Sequence, residues 1–190
     1  MVVLTLSQRR RRQLLVLGLL CLAGRPAPAQ EARFAAEYQI KAAYLYKFLA
    51  FTEWPAQAFD GRDAQIVIGV LGSEALAMEL SQAVAGRAVD GRAVSVRELR
   101  VGDATTGLHV LFVGRAAARR LPGVLAAARG QPLLTVGESD DAAATGTAIT
   151  FVVVDDKVRF DVAPAVAEQA GLKISARLLA VARKVHAGPT

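Results

Sequence analysis

Cysteine is almost missing from this chain of 190 residues; the only one is Cys21. It lies in an N-terminal segment that reads as a removable leader, so the mature chain has no disulfide, thiolate nucleophile or cysteine metal ligand. Histidine is nearly as scarce. His109 and His186 are the only two, and no H-E-x-x-H or similar metal spacing surrounds them. Neither a G-x-G-x-x-G fingerprint nor a P-loop is present, so no nucleotide cofactor is expected. Ser73, Ser139 and Ser175 lack a nucleophile elbow. Asp140-Asp141 and Asp155-Asp156 are adjacent carboxylates of the kind that make turns. No catalytic residue, metal or cofactor is therefore assigned. A hydrolase built on His109 is the weakest reading, because a single strand histidine is more often a hydrogen-bonded core or edge residue.

Acidic residues are absent from the first 29 positions, which hold five of the 23 basic residues. Removing them leaves 18 basic against 17 acidic side chains, a net of +1 in place of +6. The basic excess thus belongs to the leader, and a nucleic-acid-binding face is not expected. Arg9 to Arg12 form a charged start, and Leu14 to Ala23 form a run of ten apolar residues. That run falls short of the roughly 20 residues a membrane-spanning helix needs. Pro26 and the small-x-small pattern Ala27-Pro28-Ala29 follow, which completes a secretory signal with cleavage near Ala29. Arg11-Arg12-Gln13-Leu14-Leu15 also fits a loose twin-arginine pattern. The expected organisation is a signal peptide over 1–29 and one domain over 30–190, exported and not membrane-embedded.

Hydrophobic residues make up 53% of the chain, enough for a core without staples. Tyr38, Ala42, Leu45 and Leu49 recur at helical spacing, and a helix is expected over Glu31 to Phe51, with Lys41 and Lys47 off its buried stripe. Ile66 to Leu71, Leu108 to Val113 and Leu133 to Val136 are short continuous apolar runs, the signature of strands buried on both faces. Ser73 is placed to cap a helix through Val84. Arg115 to Arg129 reads as a helix with Pro122 as a break or a new start. Asp90-Gly91 reads as a turn before a half-exposed strand from Arg92 to Leu99. Ile149 to Val154 and Lys157 to Val162 flank the two-residue turn Asp155-Asp156. Pro164 opens a last helical region that Gly171 interrupts. The pattern predicts an α/β three-layer sandwich: a mostly parallel central sheet, an antiparallel edge hairpin, and helices on both faces.

Two kinds of site are candidates. Three strands end in glycine, at Gly72, Gly114 and Gly137, and open α/β sheets bind ligands beyond such ends. Ser73, Arg115, Glu138 and Ser139 would line that crevice. The other kind is a partner surface. Eight of the eleven aromatic residues fall between Phe34 and Phe59. One stripe cannot hold them all, so Tyr44, Phe51 or Trp54 should reach another surface. Phe51 and Trp54 at the helix end form one candidate patch; Glu168, Leu172 and Ile174 around Gly171 form the other.

Several segments, in order, resemble the YfiR-like periplasmic family: E-Y-Q-I-K-A-A-Y-L-Y-K-F at 37–48, F-T-E-W-P at 51–55, I-V-I-G-V-L-G at 66–72, H-V-L-F-V-G at 109–114, L-L-T-V-G-E-S at 133–139, V-R-F-D-V at 158–162 and A-G-L-K-I-S-A-R-L-L at 170–179. Together they span nearly all of the mature chain. The resemblance implies a periplasmic, non-enzymatic repressor. Such a protein binds the periplasmic sensor region of an inner-membrane diguanylate cyclase of the YfiN type, or a related sensor, and holds down cyclic di-GMP and biofilm growth. A second copy of the chain is a further partner left open. The rival reading is a small-molecule-binding protein serving a transporter or receptor through the strand-end crevice. Family members commonly carry cysteines just before H-V-L-F-V-G and in the loop after L-L-T-V-G-E-S. Leu108 and the segment 140–146 have none, so redox control by disulfides is not expected here.

Overall fold

Parallel β-strands whose side chains alternate between two apolar surroundings need helices on both sides, and β5 (Val110–Val113) shows the alternation in four residues. Val110 and Phe112 enter one core, while Leu111 and Val113 enter the other. The computed structural model describes residues 28–61, 63–138 and 146–187. The predicted leader, apart from its last two residues, lies outside them. Residues 1–34 and 35–190 separate as two units, and the sheet belongs to the second.

The elements follow in chain order. Helix α1 (Pro28–Ala50) leads into β1 (Thr52–Glu53) and a 3-10 turn at Ala56–Ala58. Strand β2 (Ile66–Leu71), helix α2 (Glu74–Val84) and strands β3 (Ala88–Val89) and β4 (Arg92–Leu99) come next. After β5, a 3-10 segment (Arg115–Arg120) passes into α3 (Leu121–Ala127). Then come β6 (Leu134–Glu138), β7 (Ile149–Val154), β8 (Lys157–Val162) and α4 (Pro164–Gln169). The chain closes with β9 (Lys173–Ile174), α5 (Ala176–Val181) and β10 (Lys184–Val185). Pro28 opens α1 three residues before the predicted start, since its fixed φ suits a first helical turn.

The main sheet has the order β10-β8-β7-β6-β5-β2-β4-β3. From β7 across to β4 every neighbour pair is parallel. The β7–β8 hairpin is antiparallel, and Asp155 and Asp156 take φ of +49° and +58° in its turn, as a two-residue primed turn requires. This is the predicted mixed α/β sandwich, with two refinements. The hairpin is not the outermost pair, because β10 adds in parallel outside β8. The other edge is a second antiparallel hairpin, β3–β4, turning at Asp90-Gly91.

The larger core lies under α1 and α2. Leu45, Phe48 and Leu49 of α1 meet Leu76 and Leu80 of α2 and Ile68, Val70 and Phe112 of the sheet. Each such side chain contributes about 1.5–3 kcal/mol by leaving water. Tyr44, expected as a candidate for an outer surface, instead packs on Phe48, Phe151 and Phe160, with ring centroids 5.3–6.1 Å away. The second core, under α3, joins Leu71, Leu99, Leu108, Leu111 and Leu121. Ser73 caps α2 as predicted, its Oγ accepting the Leu76 N–H at 3.4 Å. Pro122 marks the passage from 3-10 segment to α-helix, standing in the first turn of α3.

Gly72 shows how tightly β2 and β5 are closed at their ends. Its φ is +74°, and a Cβ there would sit 2.7 Å from Ala117 Cβ and 2.9 Å from Ala117 N. Gly72→Ala should therefore lose roughly 2–5 kcal/mol, from left-handed strain plus overpacking. Gly91→Ala, at φ +78° with nothing within 4 Å, should lose only about 1–2 kcal/mol. Urea unfolding of the two variants checks this; equal losses would show that backbone strain alone decides.

Candidate functional site

At the strand ends Gly72 and Gly114 close on each other, which leaves no space between those two turns. A Cβ on Gly114 would lie 2.7 Å from the Gly72 carbonyl oxygen and 3.2 Å from Ser73 Cβ. The glycines let two strand-to-helix turns close on each other, and Ser73 is committed as a helix cap. Arg115 and Glu138 are brought together as expected. The Arg115 N–H donates to Glu138 Oε2 at 3.2 Å, and the guanidinium Nε lies 3.9 Å from the same oxygen. Ser139 lies outside the described residues.

The centre of this region is a residue that helical periodicity places elsewhere. Lys41 is only 1% exposed, not solvated off the stripe. Its Nζ donates to Glu138 Oε1 at 2.6 Å and to Glu37 one turn earlier, and it lies 5.7 Å from the Tyr38 ring centre. Glu138 is itself buried. One carboxylate thus joins α1, the end of β6 and the turn after β5. Periodicity sends every lysine outward, although Glu37 at i−4 was a visible partner. The cluster holds matched charges and no nucleophile, so its chemistry is structural. Lys41→Met would strand a buried carboxylate and should cost about 3–5 kcal/mol. Adding Glu138→Gln should recover part of that, measured as a double-mutant cycle in urea. Strict additivity would mean the two groups do not interact.

His109 is a hydrogen-bonded structural residue. Its Nδ1 accepts the Val67 N–H at 3.1 Å, and Nε2 stands 3.0 Å from the Ala58 carbonyl, which assigns the proton to Nε2. Phe59 stacks on the ring at 4.6 Å, and Trp54 Nε1 donates to the His109 carbonyl at 3.2 Å. Both ring nitrogens are engaged with backbone, so the residue is not arranged as a general base for Ser73 or Ser175. Burial pushes the imidazole below its ordinary value of 6.5. The Ala58 bond opposes this, the Arg92 charge adds to it, and Asp60 works against it. The unfolded chain therefore binds a proton below pH 6.5 that the folded chain refuses, so stability is complete above 6.5 and falls as the pH drops. The urea midpoint should decline from pH 7.5 to pH 5.5, and His109→Gln, although less stable, should lose that slope. A parallel decline in the variant would assign it to other groups.

His186 meets neither serine nor metal ligand set but a buried carboxylate. Asp161, 1% exposed, accepts from Arg183 Nε at 2.7 Å and Nη2 at 2.5 Å, and lies 3.1 Å from His186 Nε2. Burial alone would raise its pKa. The Arg183 and His186 hydrogen bonds, with the two charges, outweigh that and hold it below the ordinary carboxylate value. This fork fixes β10 on β8. Among the described residues, no group of three or more His, Cys, Asp and Glu side chains is arranged to hold a metal ion.

The two predicted partner segments meet. β1 and β9 form a separate antiparallel ribbon with Thr52 opposite Ile174 and Glu53 opposite Lys173, and the Ser175 N–H donates to the Phe51 carbonyl at 2.9 Å. Phe51, Trp54 and Ile174 are half-buried against the larger core, and Glu168 is exposed. Leu172 departs from expectation. It is 1% exposed and offers no surface. Gly171 at φ +73° makes a Schellman cap on α4, with Gly171 N–H to Glu168 O and Leu172 N–H to Ala167 O, both at 2.9 Å. That motif turns the following apolar residue back onto the helix. Beside the ribbon runs a groove of about 610 Å³ lined by Phe51, Trp54, Phe59, Arg92 and Arg177. Thr52, on the same groove, keeps a buried Oγ1 with no partner among the described residues.

These features lie in a stretch that matches the model of the YfiR/HmsC-like family over residues 38–183. The chain belongs to the YfiR/HmsC-like family. No curated protein matches it. At family level a YfiR-like protein is a periplasmic regulator of diguanylate cyclase, regulatory and not catalytic. No described helix of this YfiR-like chain is long and apolar enough to cross a membrane.

Proposed function

We propose that this YfiR-like protein is exported through residues 1–29 and binds the periplasmic sensor region of an inner-membrane diguanylate cyclase. Binding holds the cyclase inactive and lowers cyclic di-GMP. A repressor of this kind acts by surface complementarity, with its binding energy concentrated in a few aromatic, apolar and charged anchors. The observation that carries the reading is the β1–β9 ribbon, which pairs Thr52 with Ile174 and joins Phe51 to Ser175, with Trp54 following β1 and Glu168 exposed on α4 ahead of the Gly171 cap. Half-buried apolar side chains held by backbone pairing are stiff, so little freedom is lost on docking. The rival crevice reading loses its support where Gly72 and Gly114 close on each other.

The test pairs Glu168→Lys with Ile174→Asp, the first on an exposed position and the second on the ribbon. Both purified variants are checked by circular dichroism, and cyclic di-GMP is measured in the producing cells. Folded Glu168→Lys should raise cyclic di-GMP towards the level of a strain lacking the gene. Full repression by folded forms of both variants would remove this surface. A gene deletion that leaves cyclic di-GMP unchanged would remove the repressor reading itself.

A further inference from the structure

The molecule carries a second groove, of about 590 Å³, on the side away from the glycine strand ends. It lies between α3 and α4, at the amino ends of β6 and β7. Its walls are Pro122 and Leu125 on one side and Val166 and Ala170 on the other, with Leu133 between. That volume is within the range of small-molecule sites, which are mostly apolar with a few polar groups to orient the ligand.

The polar inventory narrows what fits. Thr135 Oγ1 already accepts the Ala148 N–H at 3.0 Å. Gln131 uses both ends of its amide, accepting from Thr105 Oγ1 at 3.1 Å and donating to the Ala127 carbonyl at 3.2 Å. What remains is Arg129 and the amide of Gln169. Among the described residues, Arg129 is the only charged one lining the groove, and its guanidinium has no partner among them. No acidic residue among the described ones lines it. A cationic ligand would meet like charge, and a neutral apolar ligand would gain nothing from the guanidinium, which water solvates at its exposed position. A guanidinium pairs best with a planar carboxylate through two parallel hydrogen bonds.

The geometry points to a binding site for a small amphipathic carboxylate, with its apolar body between α3 and α4 and its head on Arg129. The site shares α4 with the proposed partner surface, since Val166, Gln169 and Ala170 flank Glu168, and its test needs no cyclase. Octanoate, octanol and octylamine are titrated into protein purified from the periplasm. Binding is read by calorimetry and by amide chemical shifts. Octanoate should bind saturably, with shifts centred on Leu125, Val166 and Ala170, and octanol should bind about tenfold more weakly. Octylamine should not bind. Arg129→Gln, at an exposed position, should lower octanoate affinity about tenfold, and Ala126→Trp should block the groove, both with unchanged circular dichroism. Equal affinity for all three probes, no shift at those residues, or an unaffected Arg129→Gln would each overturn the assignment.

Discussion

One buried carboxylate is the point on which several parts of this fold meet. Glu138 ends β6 and accepts both the Lys41 ammonium and the Arg115 backbone N–H. Water cannot replace either donor at that depth, so the helix that covers the larger core and the turn that covers the smaller one are set by the same two oxygens. A buried ion pair is not in itself strong evidence of stability, because desolvation offsets much of the attraction. What it supplies is a unique position. An apolar α1 could slide along a sheet of valines and isoleucines at little cost. A lysine that must reach one carboxylate cannot.

The surface that faces outward follows from that fixed helix. Where α1 ends, Thr52 and Glu53 leave in extended form and pair with Lys173 and Ile174, while Trp54 returns to donate to the His109 carbonyl. The ribbon is short, yet both its strands are anchored: one by α1 and Trp54, the other by the Schellman cap at Gly171. A face built this way is held by backbone pairing and packing, with no cysteine among the described residues. Helix α4 stands between this face and the second groove, with Glu168 exposed and its neighbours Val166, Gln169 and Ala170 lining the groove against α3.

Much of the architecture was legible in the sequence where a local signal is strong. The runs Ile66–Leu71 and Ile149–Val154 are β-branched and continuous, Ser73 precedes a helix, and Asp155-Asp156 sits between two apolar runs; all three became the expected elements. The misses have a common cause. β1, β9 and β10 are two residues each, and their existence depends on distant partners instead of their own periodicity. Lys41 and Leu172 were misplaced for the same reason. A lysine is buried only if a carboxylate waits 97 positions away, and a leucine after a glycine turns inward only through the geometry of the cap. At Gly72 and Gly114 the glycines serve tight turns that close on each other, and a glycine that permits a tight turn looks the same in one dimension as one that admits a ligand.

The separation between Lys41 and Glu138 also sets an order on assembly. As the chain emerges from its amino end, α1 is complete long before its carboxylate partner exists. Closing so long a loop delays the reward for early structure and slows folding. The last clamp, Arg183 on Asp161, becomes possible only when almost the whole chain is available. Burial of the Lys41 ammonium and of the Asp161 carboxylate with their partners therefore waits until residues 138 and 183 have been made.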